Sequence, residues 1–156
     1  MLPLSCELQL VARRKLKIDP DFDFLLAGLA TPLQDYRLAW WINKVLHKEL
    51  SRVDDLVVTD AETRRQTSFA RFDYPEELTR TVFHMLQNRV GSAYLMPELK
   101  EFDYLLMIKG SYYRTKQAGI LKKLREIEQM QASVFINPEN LRSRNHLIIE
   151  TKIAGW

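Results

Sequence analysis

The spacing of apolar and polar residues along the chain predicts a series of strands and two helices. Residues 8–18 alternate in part between the two types, which indicates an edge strand. A nearly continuous apolar run from Phe22 to Leu29 indicates a strand buried on both faces. Further strands are predicted at 56–60, 65–74, 78–89, 102–108, 132–136 and 146–153.

Two helices are predicted between these strands. Thr31 stands before Pro32 and three positions before Gln34, a pattern in which threonine caps a helix and proline occupies its first turn. We therefore expect a first helix at about 32–47, with an inner stripe made of Leu38, Trp41, Ile42 and Val45.

The second predicted helix covers about 113–129. Gly119 weakens it by roughly 1 kcal/mol relative to alanine. Its inward positions are Ile120, Leu121, Leu124 and Ile127, and its outward positions are Lys122, Lys123, Arg125 and Glu126. A helical turn capped by Asn137 is expected further along the chain.

Two segments of the chain resemble each other and suggest the fold class. Residues 21–26 and 101–106 both combine acidic and aromatic residues with a leucine pair, and each is followed by a glycine and a predicted helix. Two such units predict an α+β fold: one domain over 1–156, a two-layer sandwich of five to seven mostly antiparallel strands with two main helices on one face. A ferredoxin-like arrangement is the candidate topology.

Composition places the chain among ordinary globular proteins. It has 156 residues, of which 46% are hydrophobic and 28% are charged, so a disordered tail or a fibre is excluded. The single cysteine, Cys6, allows no internal disulfide. The N-terminal residues lack a basic region, and no stretch is apolar enough to span a membrane, so we expect a cytoplasmic protein.

Charge is distributed unevenly along the chain. Residues 1–78 carry 11 basic and 13 acidic groups, whereas residues 79–156 carry 12 and 7. The segment 104–125 contains six basic residues and no acidic one. It includes a candidate anion-binding set: Lys109, Ser111, Arg114, Lys122, Lys123 and Arg125. Lys109, Gly110 and Ser111 lie where a predicted strand passes into a helix, and a helix N-terminus attracts anions. Tyr112 and Tyr113 could stack on bases. RNA or a phosphate-bearing ligand is therefore one candidate partner, while the alternative is a solvated helix face.

Two spaced motifs carry a resemblance to a known family. Residues 96–104 read Met-Pro-Glu-Leu-Lys-Glu-Phe-Asp-Tyr, and residues 35–39 read Asp-Tyr-Arg-Leu-Ala. Both segments resemble those of the IPExxxVDY family of short bacterial proteins, with Met96 and Phe102 replacing isoleucine and valine. The resemblance implies no particular activity, but it singles out a set of motif positions: Asp35, Tyr36, Arg37, Asn43, Pro97, Glu98, Asp103 and Tyr104.

The motif carboxylates allow two interpretations. Asp35, Arg37, Glu98 and Asp103 could surround a pocket for a ligand or for catalysis. They could instead form a paired network that fixes loops, which we favour because buried or capping carboxylates are normally paired. Strand alternation predicts Phe102 and Tyr104 on one face and Asp103 on the other, accepting hydrogen bonds from the backbone or from Arg37.

Catalytic and metal-binding patterns are absent from the sequence. His47, His84 and His146 have no partner at ligand spacing, and no phosphate-binding, dinucleotide-binding or Gly-x-Ser-x-Gly motif occurs. We expect neither a metal nor a cofactor. The favoured function is a non-enzymatic binding or protein-interaction module. The alternatives are the RNA or phosphate ligand and an enzyme that uses the Glu98 and Asp103 carboxylates.

The partner of such a module is a second protein or a second copy of the chain. Trp40 and Trp41 are adjacent, so a helix directs them about 100° apart and one of them can face a partner. The apolar segments 147–149 and 153–156 would suit a homodimer contact.

Overall fold

The computed structural model describes residues 23–149. Its strands and helices confirm the predicted α+β class. The strands are β1 (Phe24–Ala30), β2 (Ser51–Thr59), β3 (Gln66–Glu76), β4 (Thr81–Gln87), β5 (Arg89–Val90), β6 (Ala93–Tyr94), β7 (Tyr104–Lys109) and β8 (Ala132–Ile136). The α-helices are α1 (Asp35–Leu46) and α2 (Gln117–Arg125).

Six strands form one antiparallel sheet in the order β2-β3-β4-β7-β1-β8, and β5 pairs with β6 in a separate ribbon. Within the sheet, β8, β1, β7 and β4 have the ferredoxin-like order, with α1 following β1 and α2 connecting β7 to β8. The β2–β3 hairpin extends the sheet beyond β4. Residues 24–26 and 104–106 of the two segments that resemble each other in sequence lie in β1 and β7, which are neighbouring strands.

Both faces of the sheet are buried at the central strands β1, β4 and β7. One face packs against α1 and α2 through residues such as Leu38, Ile42 and Leu124. The opposite face is covered by residues 95–102 and by Leu147 and Ile149. This second cover explains why β1 and β7 read as nearly continuous apolar runs rather than as alternating ones.

The start of α1 differs from the prediction. The helix begins at Asp35, and the residue that precedes it, Gln34, makes no side-chain capping bond. The hydroxyl of Thr31 accepts from the N–H of Leu33 at 3.3 Å, as a cap would, but residues 32–34 do not continue into a helix. The same hydroxyl donates to the carbonyl of Gln129 at 2.9 Å, and the N–H of Thr31 donates to Asp103 at 3.0 Å. Contacts to distant segments therefore hold Thr31 in a turn that precedes the helix.

Several other predicted boundaries shift. The α-helical part of 113–129 is limited to α2, which follows a short 3-10 turn at 114–116. The predicted strand at 146–153 is wrong over its described part, where residues 144–147 form a 3-10 turn and Leu147 is buried. The turn capped by Asn137 is confirmed, since its side chain accepts from the N–H of Glu139. The predicted strand at 8–18 lies outside the described residues.

Gly28 and Gly119 offer a matched test of the packing. A Cβ at Gly28 would lie 2.6 Å from the ring of Phe102, whereas one at Gly119 would meet nothing within 4 Å. Gly28→Ala should lower the free energy of unfolding by about 2 kcal/mol because the ring must move within a packed core. Gly119→Ala should raise it by up to about 1 kcal/mol through helix propensity. Urea denaturation measures both, and equal effects at the two sites would contradict this packing.

Candidate functional site

The side chain of Asn88 organises the segment that carries the second motif. Asn88 is fully buried and follows directly after β4. Its amide nitrogen donates to the carbonyls of Leu99 and Phe102 at 2.9 and 2.8 Å, and its oxygen accepts from the N–H of Met96 at 2.8 Å. Its own backbone bonds to Leu95 and Asp103. One side chain thus fixes both ends of residues 95–103, and no local sequence pattern marked it.

Asp103 forms a bend between that segment and β7. Its N–H donates to the carbonyl of Leu29, its carbonyl accepts from Asn88, and its carboxylate accepts from the N–H of Thr31. The bend places Phe102 on the face away from the helices and Tyr104 on the helical face. The prediction that these two rings share a face was therefore wrong, because regular alternation begins only at Tyr104.

Tyr104 connects the second motif to the start of α1. Its hydroxyl is buried and donates to the carbonyl of Leu33 at 2.7 Å. Burial, together with the nearby charges of Asp35 and Asp103, raises the pKa of Tyr104 to about 12. The phenol is therefore a fixed hydrogen-bond donor at neutral pH.

Two further motif residues join separate segments. The Glu98 carboxylate, in the short 3-10 turn that begins at Pro97, accepts hydrogen bonds from the N–H and the hydroxyl of Ser143 at 3.1 and 3.3 Å. The Asn43 side chain bonds both the N–H and the carbonyl of Leu50, which ties α1 to the start of β2. These contacts hold loops in place.

The structure does not gather the four predicted cluster residues into one pocket. Asp35 lies near Arg52, with 3.5 Å between the closest atoms, while Glu98 bonds Ser143. Arg37 is exposed on α1. Within residues 23–149, no hydrogen bond or ion pair joins any two of Asp35, Arg37, Glu98 and Asp103.

The exposed side of α1 carries an aromatic surface. Tyr36, Arg37, Trp40 and Trp41 line a shallow cavity of about 520 Å³, and we call these four residues the α1 aromatic surface. Tyr36 is 61% exposed and Trp40 is 56% exposed. The two tryptophan rings meet edge to face with centroids 5.0 Å apart, and Nζ of Lys44 lies 5.1 and 5.2 Å from the two centroids.

Two smaller clefts continue from this surface toward β7. The first, of about 250 Å³, is lined by Tyr36 and Arg37 together with Pro32, Leu33, Gln34 and Gln129. The second, of about 380 Å³, shares Pro32, Leu33 and Gln34 and reaches Asp103 and Tyr104. Parts of both motifs, distant in sequence, therefore line one connected surface.

Three of the six candidate anion-binding residues are engaged by other protein groups. Lys109 donates to the carbonyl of Ile149, Arg114 pairs with Asp23, and Arg125 donates to the carbonyl of Ser133. Lys122, Lys123 and Ser111 are exposed. The predicted helix N-terminus at Lys109, Gly110 and Ser111 was wrong, since α2 begins only at Gln117.

A buried polar group that the sequence did not reveal lies on β3 and β4. Nδ1 of His84 lies 2.6 Å from the Asp73 carboxylate, which also accepts from Arg71. Desolvation by burial lowers the pKa of His84, and the positive charges of Lys109 and Arg71 lower it further. The hydrogen bond and negative charge of Asp73 raise this pKa, but by less. Burial alone would raise the pKa of Asp73. The hydrogen bonds from His84 and Arg71 have a larger combined effect, so the pKa of Asp73 is lowered. Cross-strand pairing of Asp73 with His84 creates this contact.

Comparison with known proteins adds no assignment. No protein-family model matches the chain, and no curated protein matches it.

Among residues 23–149, no group of three or more histidine, cysteine or acidic side chains could hold a metal ion. No helix in the same range is long and apolar enough to cross a membrane.

Removing the Asn88 side chain should be strongly destabilising. Asn88→Ala leaves the N–H of Met96 and two carbonyls buried without these partners, so we expect the free energy of unfolding to fall by about 3 kcal/mol. Asn43→Ala, at a half-buried site that water can reach, should lower it by about 1 kcal/mol. Urea denaturation compares the two, and similar losses would contradict the role given to Asn88.

Acidification should destabilise the protein through His84 first. The pKa of His84 is lower in the folded protein than in the unfolded chain. From about pH 6.5 downward the unfolded chain therefore binds a proton at His84 that the folded protein does not yet bind, and the free energy of unfolding falls. Asp73, also lowered, acts in the same direction below about pH 4. Urea denaturation at about pH 7.5 and about pH 5 should show a loss of stability that His84→Gln reduces. An unchanged pH effect in that variant would refute the assignment.

Proposed function

We propose that this protein is a non-enzymatic interaction module and that the α1 aromatic surface is its docking site for a partner protein. The observation that carries the proposal is the exposure of Trp40, Tyr36 and Arg37 on one side of a helix whose other side is packed against the sheet. Tryptophan, tyrosine and arginine are the residue types that dominate binding energy at protein interfaces.

The rigidity of this surface also supports docking. Trp41 is partly buried against the core, and the edge-to-face contact restricts the neighbouring ring of Trp40. The helix beneath is fixed at one end by Tyr104, through Leu33, and near the other by Asn43. A partner that binds here orders few side chains, which lowers the entropic cost of association.

The charge of the surface indicates the chemistry of the partner. Arg37 lies within it and Lys44 lies against both tryptophan rings, while the nearby Asp35 is engaged by Arg52. The partner segment should therefore carry carboxylates next to an apolar or aromatic anchor that fits between Tyr36 and Trp40.

The motif geometry supports a binding role over an enzymatic one. Glu98 and Asp103, the carboxylates of the enzyme alternative, each accept hydrogen bonds from backbone N–H groups of another segment. The IPExxxVDY resemblance and the cytoplasmic location remain predictions. A second copy of the chain is the alternative partner, and it would use the same surface.

Variants of the α1 aromatic surface test the proposal. The wild-type protein should retain a partner protein from an extract of its host. We expect Trp40→Ala to lose this binding because it removes an aromatic anchor, and Arg37→Glu to lose it because it reverses the charge of the surface. Leu78→Ala is the matched control, since Leu78 is 96% exposed and lies outside the surface. Circular dichroism melting should show that all three variants stay folded.

Sedimentation of the same proteins separates the two partners. A concentration-dependent dimer that Trp40→Ala abolishes identifies a second copy as the partner. The proposal is wrong if wild type, Trp40→Ala and Leu78→Ala retain the same proteins and show the same sedimentation.

A further inference from the structure

A second cavity lies at the other end of α1 and shares no residue with the α1 aromatic surface. It measures about 470 Å³, within the usual range for small-molecule sites. Its walls are formed by the C-terminal end of α1 and the two residues after it, by β4, by the segment before α2 and by the first half of α2. The residues that line it are Leu46, His47, Lys48, Phe83, Tyr112, Tyr113, Lys116, Gly119, Ile120 and Lys123.

Three aromatic rings form a connected series in this cavity. Phe83 and Tyr113 meet edge to face with centroids 5.3 Å apart, and Tyr113 meets Tyr112 in the same way at 4.9 Å. The Tyr113 hydroxyl is fixed by Glu76 and Lys48, at 2.6 and 2.8 Å. Tyr112 is 48% exposed, and a planar group that stacks on this last ring of the series takes the place of the Lys116 ammonium, which lies 4.2 Å from the ring centroid.

The charge that faces the cavity is positive. Lys48, Lys116 and Lys123 line it, and none of its lining residues is acidic. Lys48 and the nearby Glu76 neutralise each other, because Nζ of Lys48 lies 2.5 Å from the Glu76 carboxylate, which also accepts from Tyr113 and Thr79. Lys116 and Lys123 supply the remaining positive charge. Lys116 lies over the Tyr112 ring at 4.2 Å, while Lys123 is exposed. Lysine ammonium groups at the rim are therefore available to bind an anion.

Gly119 leaves the cavity open on the side of α2. A Cβ at this position would meet nothing within 4 Å, so any larger residue here would project into free space. Glycine inside a helix is unfavourable by about 1 kcal/mol relative to alanine, and nothing in the packing of this helix requires it. The space above Gly119 is where a ligand ring can lie beside Tyr112.

We propose that this cavity binds a nucleoside monophosphate, with the base stacked on the Tyr112–Tyr113 pair and the phosphate held by Lys116 and Lys123. The volume of the cavity is appropriate for a single nucleotide, and the aromatic and basic residues that would bind it lie close together in the sequence. A long RNA would need a continuous basic surface, whereas Lys109, Arg114 and Arg125 are engaged elsewhere. The same chemistry could come from the end of an RNA chain, which the experiment below distinguishes.

Calorimetric titration of the full chain with the four nucleoside 5′-monophosphates tests this site. We expect saturable binding of at least one of these nucleotides. The matching nucleoside, which lacks the phosphate, and inorganic phosphate, which lacks the base, should each bind at least about tenfold more weakly than that nucleotide. A short RNA carrying the same nucleotide at its 5′ end should bind no more tightly than the free nucleotide. RNA binding without mononucleotide binding would overturn the proposal, as would the absence of any saturable binding.

Two neighbouring lysines provide a matched pair of variants. Lys123→Ala should weaken nucleotide binding by about tenfold, while Lys122→Ala, an adjacent exposed cation that does not line the cavity, should change it less than about twofold. Gly119→Phe should block binding by filling the space above α2, with the helix retained in circular dichroism. Equal losses for the two lysine variants would show only diffuse attraction and would refute the site. Trp40→Ala should leave nucleotide binding unchanged, so the two proposals can fail independently.

Discussion

The position of residues 95–103 depends on three hydrogen bonds made by the buried amide of Asn88. A segment whose only regular structure is one short 3-10 turn has backbone N–H and C=O groups that it cannot satisfy by itself. Asn88 satisfies three of them, at Met96, Leu99 and Phe102, from inside the fold. The segment can therefore cover the second face of the sheet, placing Met96 and Leu99 in that core.

The motif residues fall into two groups. Asn43, Glu98, Asp103 and Tyr104 each bond the backbone of a distant segment, so they hold loops and the ends of α1 in fixed positions. Tyr36 and Arg37 are exposed on α1 and belong to the proposed docking surface. Asn43 and Tyr104 fix α1, and Tyr36 and Arg37 are exposed on the fixed helix. Residues that fix the structure and exposed residues thus lie within a few positions of each other on α1.

Continuous apolar runs were sufficient to predict the central strands, since a strand buried on both faces leaves a strong signal. The capping pattern at Thr31 placed the start of α1 too early, because Thr31 accepts from Leu33 within a turn and is held there by Asp103 and Gln129, both distant in sequence. Asn88 was missed because an asparagine within a predicted strand gives no sign that it will be buried and fully bonded. The exposure of Trp40 could not be predicted either, since adjacent tryptophans on a helix point in different directions and only packing decides which one is covered.

Native-state hydrogen exchange at the amide of Met96 tests the central claim most directly. Met96 lies outside every helix and strand, yet its N–H is buried and donates to Asn88 at 2.8 Å. We predict that this amide exchanges about as slowly as that of Leu106 in the centre of the sheet, through global unfolding only. Exchange at the fast rate of a surface loop would show that the segment opens independently, and would contradict the role assigned to Asn88.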